Sequence, residues 1–112
     1  MNSRGVDRDR WVQLTIFEQM GNIGSEVGRA IAAKRNGKIT RMDGAIDRAI
    51  DLFDATAEVW ALQRSPKTRE VLRAKEQFLS LFFDSWSYEG AEGIEHYFMH
   101  FAQAARMHSL SE

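Results

Sequence analysis

The chain is nearly free of helix breakers. Its single proline is Pro66, and apolar residues recur three or four positions apart over almost its whole length. Proline removes a backbone donor and clashes with the preceding turn, so long proline-free stretches with an apolar period near 3.6 residues specify helices. Period-two alternation never extends beyond a few residues, so no strand is expected.

The first helix is expected over residues 7–35, where Val12, Ile16, Met20, Ile23, Val27 and Ile31 fall on one face. Asn36-Gly37 then reads as a stop, because both residues tolerate left-handed backbone. A second helix is expected over 40–63. Thr40 and Asp43 serve as its capping box, Ile39 as a hydrophobic staple, and Met42, Ile46, Ala49, Phe53, Ala57 and Trp60 as its core face. Ser65-Pro66 opens a third helix over 66–83, serine as cap and proline at the first helical position. Its apolar face is Val71, Leu72, Phe78, Leu79 and Phe82, with Trp86 just beyond. Residues 84–93 read as a polar loop with two glycines. A fourth helix over 93–107 turns Ile94, Tyr97, Phe98, Phe101 and Ala105 inward. Short turns between such helices favour antiparallel neighbours. The expected fold is therefore all-α, an antiparallel up-down-up-down four-helix bundle, with residues 1–112 as one domain.

Composition excludes several function classes. There is no cysteine, which removes disulfides and thiolate metal sites and fits a reducing cytoplasm. The formal net charge of −1 gives no global basic signal for nucleic acid. No apolar stretch approaches about 20 residues, so no membrane partner is expected. The opening residues, with Arg4, Arg8 and Arg10 and no apolar run, do not read as a secretory leader. No serine sits in a nucleophile elbow and no glycine-rich loop follows a strand. An arginine four to six residues ahead of a histidine, the spacing of helical ribonucleases, is also absent. The chain reads as a non-enzyme with no cofactor.

Four features carry the remaining functional expectations. Gly21, Gly24 and Gly28 lie on one flank of the first helix, with Phe17 on that flank and Leu14 just beyond. Each helical glycine costs up to about 1 kcal/mol relative to alanine. Such a stripe serves either close packing inside the bundle or a subunit contact formed by Leu14, Phe17, Gly21, Gly24 and Gly28. Asp43, Asp47, Asp51, Asp54 and Glu58 form an acidic face on the second helix, opposite its core side. That face is either solvated or a ridge that docks onto arginines of another subunit. An up-down bundle would collect Arg4, Arg8, Arg10, Arg64, Lys67, Arg69 and Arg73 at one pole, a candidate RNA or DNA contact. Glu92, His96 and His100 follow an i, i+4, i+8 row that offers weak metal-ligand candidates, although no His-Glu-x-x-His motif is present. Lys75, set among apolar residues, is expected to snorkel or to pair with Glu18 or Glu26. Glu26 and Arg29 are further candidates for polar contacts between helices.

The stretch from Glu18 to Ile31, EQMGNIGSEVGRAI, resembles a small uncharacterised group of bacterial and archaeal proteins. These also carry an early tryptophan, as Trp11 is here, and an aromatic-alanine stretch near the end, as in Tyr97 to Arg106. A more distant likeness is to the 23S ribosomal RNA intervening-sequence proteins and the related accessory proteins of diversity-generating retroelements. Their helix pattern Asn-Ile-x-Glu-Gly-x-Gly-Arg is similar to Asn22-Ile23 and Gly28-Arg29, with Glu26 displaced by one position. That resemblance implies a ring-forming bundle that binds RNA or DNA through a basic surface. Three functional expectations follow, in order. The first is a self-associating, non-enzymatic interaction or scaffold protein. The second is a nucleic-acid-binding accessory protein using the arginine pole. The third is a metal- or small-ligand-binding bundle using His96 and His100.

Overall fold

The computed structural model describes residues 6–111, with side chains through Met107. Among these residues the chain forms five α-helices and no strand: α1 (Arg8–Trp11), α2 (Ile16–Arg35), α3 (Ile39–Leu62), α4 (Lys67–Phe83) and α5 (Tyr88–Ser111). Helix α2 packs most closely on α3 and α5, α4 lies against α3, and α1 rests on α3. No helix among the described residues is long and apolar enough to cross a membrane.

The helix expected over 7–35 is broken in two. Thr15 starts α2 with a complete capping box: its hydroxyl accepts from the Glu18 amide at 3.1 Å, and its own amide donates to Glu18 Oε1 at 2.8 Å. Asp7 caps α1 in turn, accepting from the amides of Asp9 and Arg10. The break turns Trp11 onto α3, where its indole N–H donates to Thr56 Oγ1 at 2.8 Å. It also leaves Val12 exposed rather than in the core.

Two further expectations change at the turns. Gly37 takes a φ of +69°, and the Lys38 amide closes back onto the Ala33 carbonyl at 2.8 Å. This tight reversal starts α3 at Ile39, so Thr40 is already helical and caps nothing. Ile39 is exposed rather than a staple. The expected loop over 84–93 shrinks to residues 84–87. Ser87 accepts from the Gly90 amide at 2.9 Å, and α5 begins at Tyr88 with Gly90 and Gly93 inside it. At the remaining turn Ser65 accepts from the amide of Lys67 at 3.1 Å, but α4 begins at Lys67, so Pro66 holds the cap position and not the first helical one.

The core is built as the apolar spacing requires. Met20, Ile23, Val27 and Ile31 of α2 meet Ile46, Ala49 and Phe53 of α3, Val71 and Phe78 of α4, and Ile94 and Phe98 of α5. Phe53 sits between Phe78 and Phe98, with ring centroids 5.7 and 6.0 Å away. Each large side chain so buried contributes about 1.5–3 kcal/mol. At Gly24 α2 lies close to α5: a Cβ there would stand 2.7 Å from Phe98 Cβ. Leu72 of α4, expected inside, faces out. A second small cluster of Trp11, Ala55 and Val59 seals α1 against α3.

Candidate functional site

The turns 36–38 and 84–87 share one pole of the molecule. Lys34 Nζ lies 5.0 Å above the Trp86 ring, the Arg35 guanidinium lies 5.9 Å from the Tyr88 ring, and Arg35 also meets Glu95 at 3.4 Å. The rings of Phe82 and Trp86 meet at a tilt of 60°, 5.4 Å between centroids, and are half-buried. Around them three large apolar side chains remain outside: Ile39 is 58% exposed, Phe83 66% and Tyr88 70%. They sit where helices begin or end, so the core-directed spacing that buries their neighbours does not reach them.

Beside this pole, α2 and α3 leave a cleft of about 700 Å³ lined by Arg29, Lys38, Arg41 and Arg48, with no acidic residue among the described residues of its walls. Its floor is small, with Ala32 and Gly44 among the lining residues. Glu26, nearly buried, stands behind it and bridges the two helices. One carboxylate oxygen takes Arg29 Nη1 at 3.0 Å, and the other takes Arg48 Nε at 3.1 Å. A Cβ on Gly44 would come within 3.3 Å of Arg48 Nη1, so the glycine leaves space for the guanidinium beside α3. Lys38 and Arg41 have no carboxylate partner among the described residues.

The described residues of the arginine pole expected from the sequence have several kinds of surroundings. Arg4 lies outside the described residues. Arg8 is drawn onto α3, 3.5 Å from Glu58 and 3.9 Å from Asp51. Arg10 is exposed on α1, and Arg64 shapes the α3–α4 turn with a φ of +54°. Lys67 stands near Ile16 and Glu70. Arg69 and Arg73 line a separate groove of about 430 Å³ between α4 and α5, together with Glu70 and Tyr97. Tyr97 donates to Glu70 Oε1 at 2.9 Å; burial, then the carboxylate beside it, pushes its phenol well above the ordinary tyrosine value.

The acidic face of α3 is also uneven. Asp43 and Asp47 are exposed, but Asp51 is buried at 7% exposure beneath α1. Asp54 takes Lys75 at 2.6 Å, so the partner of Lys75 lies on α3 rather than at Glu18 or Glu26. In the glycine stripe, the space beside Gly24 is occupied by Phe98, whereas a Cβ added at Gly21 or Gly28 would meet nothing within 4 Å. Leu14 packs on the Trp11 cluster and Phe17 on the main core. Glu92, His96 and His100 are exposed on α5, and among the described residues no three His, Cys, Asp or Glu side chains gather as a metal site.

The cleft cations are the feature that reasoning along the sequence passed over. The signal is the run Lys34-Arg35-Asn36-Gly37-Lys38-Ile39-Thr40-Arg41, which places basic residues on both sides of a tight turn. Comparison with protein-family models, with curated proteins and with solved structures gives no match.

Proposed function

We propose that this chain is a non-enzymatic interaction protein that works by self-association, a second copy docking on the pole formed by the turns 36–38 and 84–87. The observation that carries this reading is the trio Ile39, Phe83 and Tyr88, three large apolar side chains left in solvent at one end of the molecule. The occupant follows from the charges around them. A two-fold contact needs a patch that complements itself. Lys34 and Arg35 stand at this pole beside the exposed carboxylates of Asp84 and Glu89, so two copies facing each other can set cations against anions around an apolar centre. In this reading Leu14, Phe17 and Gly24 serve the interior, and Gly21 and Gly28 are what the glycine stripe leaves for a contact.

The same reading takes α2 to α5 as an antiparallel up-down-up-down bundle with α1 folded across α3. The cross-helix pairs Gln19–Trp60, Glu26–Arg48, Asp54–Lys75 and Glu70–Tyr97 support it, since each joins residues whose separation fits helices running in opposite directions. A second reading, an RNA- or DNA-binding accessory protein, draws its support from Arg69 and Arg73 in the α4–α5 groove.

Light scattering on a sizing column, across a tenfold dilution, tests the first reading. The wild type is expected to hold a dimer or larger mass, and Phe83→Glu to run as a monomer with unchanged helical content. A wild-type chain that is monomeric at every concentration sinks it.

A further inference from the structure

We infer that the cleft between α2 and α3 is a binding site for a small ligand carrying two or more phosphoryl groups. Four cationic residues, Arg29, Lys38, Arg41 and Arg48, line it, and no carboxylate of the described residues does. Like charges gathered this way repel one another and are stabilised by an anion that sits among them. Glu26 supplies one negative charge from behind, so the walls and this bridge carry a formal surplus of three (four cations less one carboxylate), while Asp47 and Asp51 stand with Arg48 in the adjoining groove. A single monovalent anion does not balance that surplus; a di- or triphosphoryl group does.

The donors suit that chemistry. A guanidinium carries five N–H groups in a rigid fork that matches phosphoryl oxygens in bidentate fashion. Glu26 meets Arg29 through Nη1 at 3.0 Å and Arg48 through Nε at 3.1 Å, and both arginines are exposed, so each fork keeps donors for a ligand. The shared carboxylate holds the two guanidiniums beside one another. Lys38 and Arg41 add two charges that no carboxylate of the described residues neutralises.

The cavity limits what else the ligand can be. About 700 Å³ falls within the range of small-molecule sites, roughly 300–1,000 Å³. Ala32, Ala33 and Gly44 form the apolar wall, and no aromatic ring lines it among the described residues. There is therefore no stacking surface for a nucleobase, and recognition rests on the phosphoryl groups. The same groups occur in a nucleic-acid backbone, but the exposed aromatic side chains that would accompany single strands lie outside this cleft.

Calorimetric titration with inorganic tripolyphosphate at constant ionic strength tests the assignment. The expected result is saturable binding at one site per chain. Lys38→Ala plus Arg41→Ala should weaken it by about tenfold or more for each cation removed. That variant alters two exposed side chains, so its helical content should match the wild type. Phe83→Glu, the variant that tests self-association, should bind tripolyphosphate as the wild type does, which separates the two readings. Absence of saturable binding overturns the assignment, as does binding that the double variant leaves unchanged. A single-stranded oligonucleotide that binds more tightly than tripolyphosphate and displaces it also overturns it, in favour of a backbone site.

Discussion

At the C-terminal half of α3, the polar groups that α1 and α4 bring near find partners. Arg8 lies against Asp51 and Glu58, Lys75 against Asp54, and the Trp11 indole against Thr56. Gln19 completes the set: its side-chain amide donates to the Trp11 carbonyl at 2.8 Å, and its oxygen accepts from the Trp60 indole. At the N-terminal end of α3 the same kinds of residue stay apart. Lys38 and Arg41 face an open cleft, while Asp43 and Asp47 are exposed with no cation of the described residues paired to them. The two ends are comparably charged in sequence. They differ because a four-residue helix folds over one of them and no described element folds over the other. Charge pairing here follows coverage, by α1 over Asp51 and Glu58 and by α4 beside Asp54.

The largest expected effect breaks the covered end. Gln19→Ala leaves the half-buried Trp60 N–H without its partner and opens a void where the fully buried glutamine stood, while the Trp11 carbonyl keeps the Leu14 amide at 3.1 Å. An orphaned group costs about 1–3 kcal/mol, so the variant should lose at least that much in urea unfolding. Lys38→Ala at the uncovered end removes no partner and should stay within about 0.5 kcal/mol of the wild type. Equal losses in the two variants would mean that the ends do not differ as described.

A second pair of variants applies the same contrast along α2. Gly24→Ala drives a methyl to 2.7 Å from Phe98 Cβ, and α5 must move away. Overpacking of this kind costs about 1–3 kcal/mol, which outweighs the gain in helix propensity. Gly28→Ala meets nothing within 4 Å and should gain up to about 1 kcal/mol. Thermal unfolding of both variants should show shifts of opposite sign. A loss at Gly28 accompanied by a smaller assembly would return the glycine stripe to a contact between copies.

These contrasts also show what the sequence made legible. The apolar period identified the long helices, and the residues it placed inward, Met20, Ile23, Phe53, Phe78 and Phe98, are buried. Periodicity reports only which face is apolar, so it ran through the break at residues 12–15. The Thr15–Glu18 capping box marked that break and was hidden by the apolar residues on either side. The same limit hid Asp51: its position on α3 is polar by helical phase, and it is buried because α1 crosses there. Of the cleft, the cations at residues 38 and 41 were visible beside the Asn36-Gly37 turn. Glu26 and Arg29 were expected in polar contacts, but the part of Arg48 was not legible, since it depends on Glu26 reaching across to a residue 22 positions away.

The smallest expected effect lies on the seam between α4 and α5, which is intermediate between the two ends: grooved like the open one, yet bridged by a polar pair. Tyr97 donates to Glu70 there, and burial followed by the Glu70 carboxylate raises its phenol above the ordinary value near 10, with Arg73 opposing. The raised group is neutral when folded, so the sign is fixed. Below the unfolded tyrosine value both states hold the proton and the contribution is fully present. As the pH rises above about 10 the unfolded chain releases its proton first, and the contribution declines towards the folded value. The stability difference between the wild type and Tyr97→Phe should therefore be constant from neutral pH to about 9 and shrink above about 10. In an ultraviolet titration, the phenolate signal that Tyr97→Phe removes should form above the ordinary tyrosine value. A Tyr97 signal that forms at the ordinary value would show that the seam is open to water.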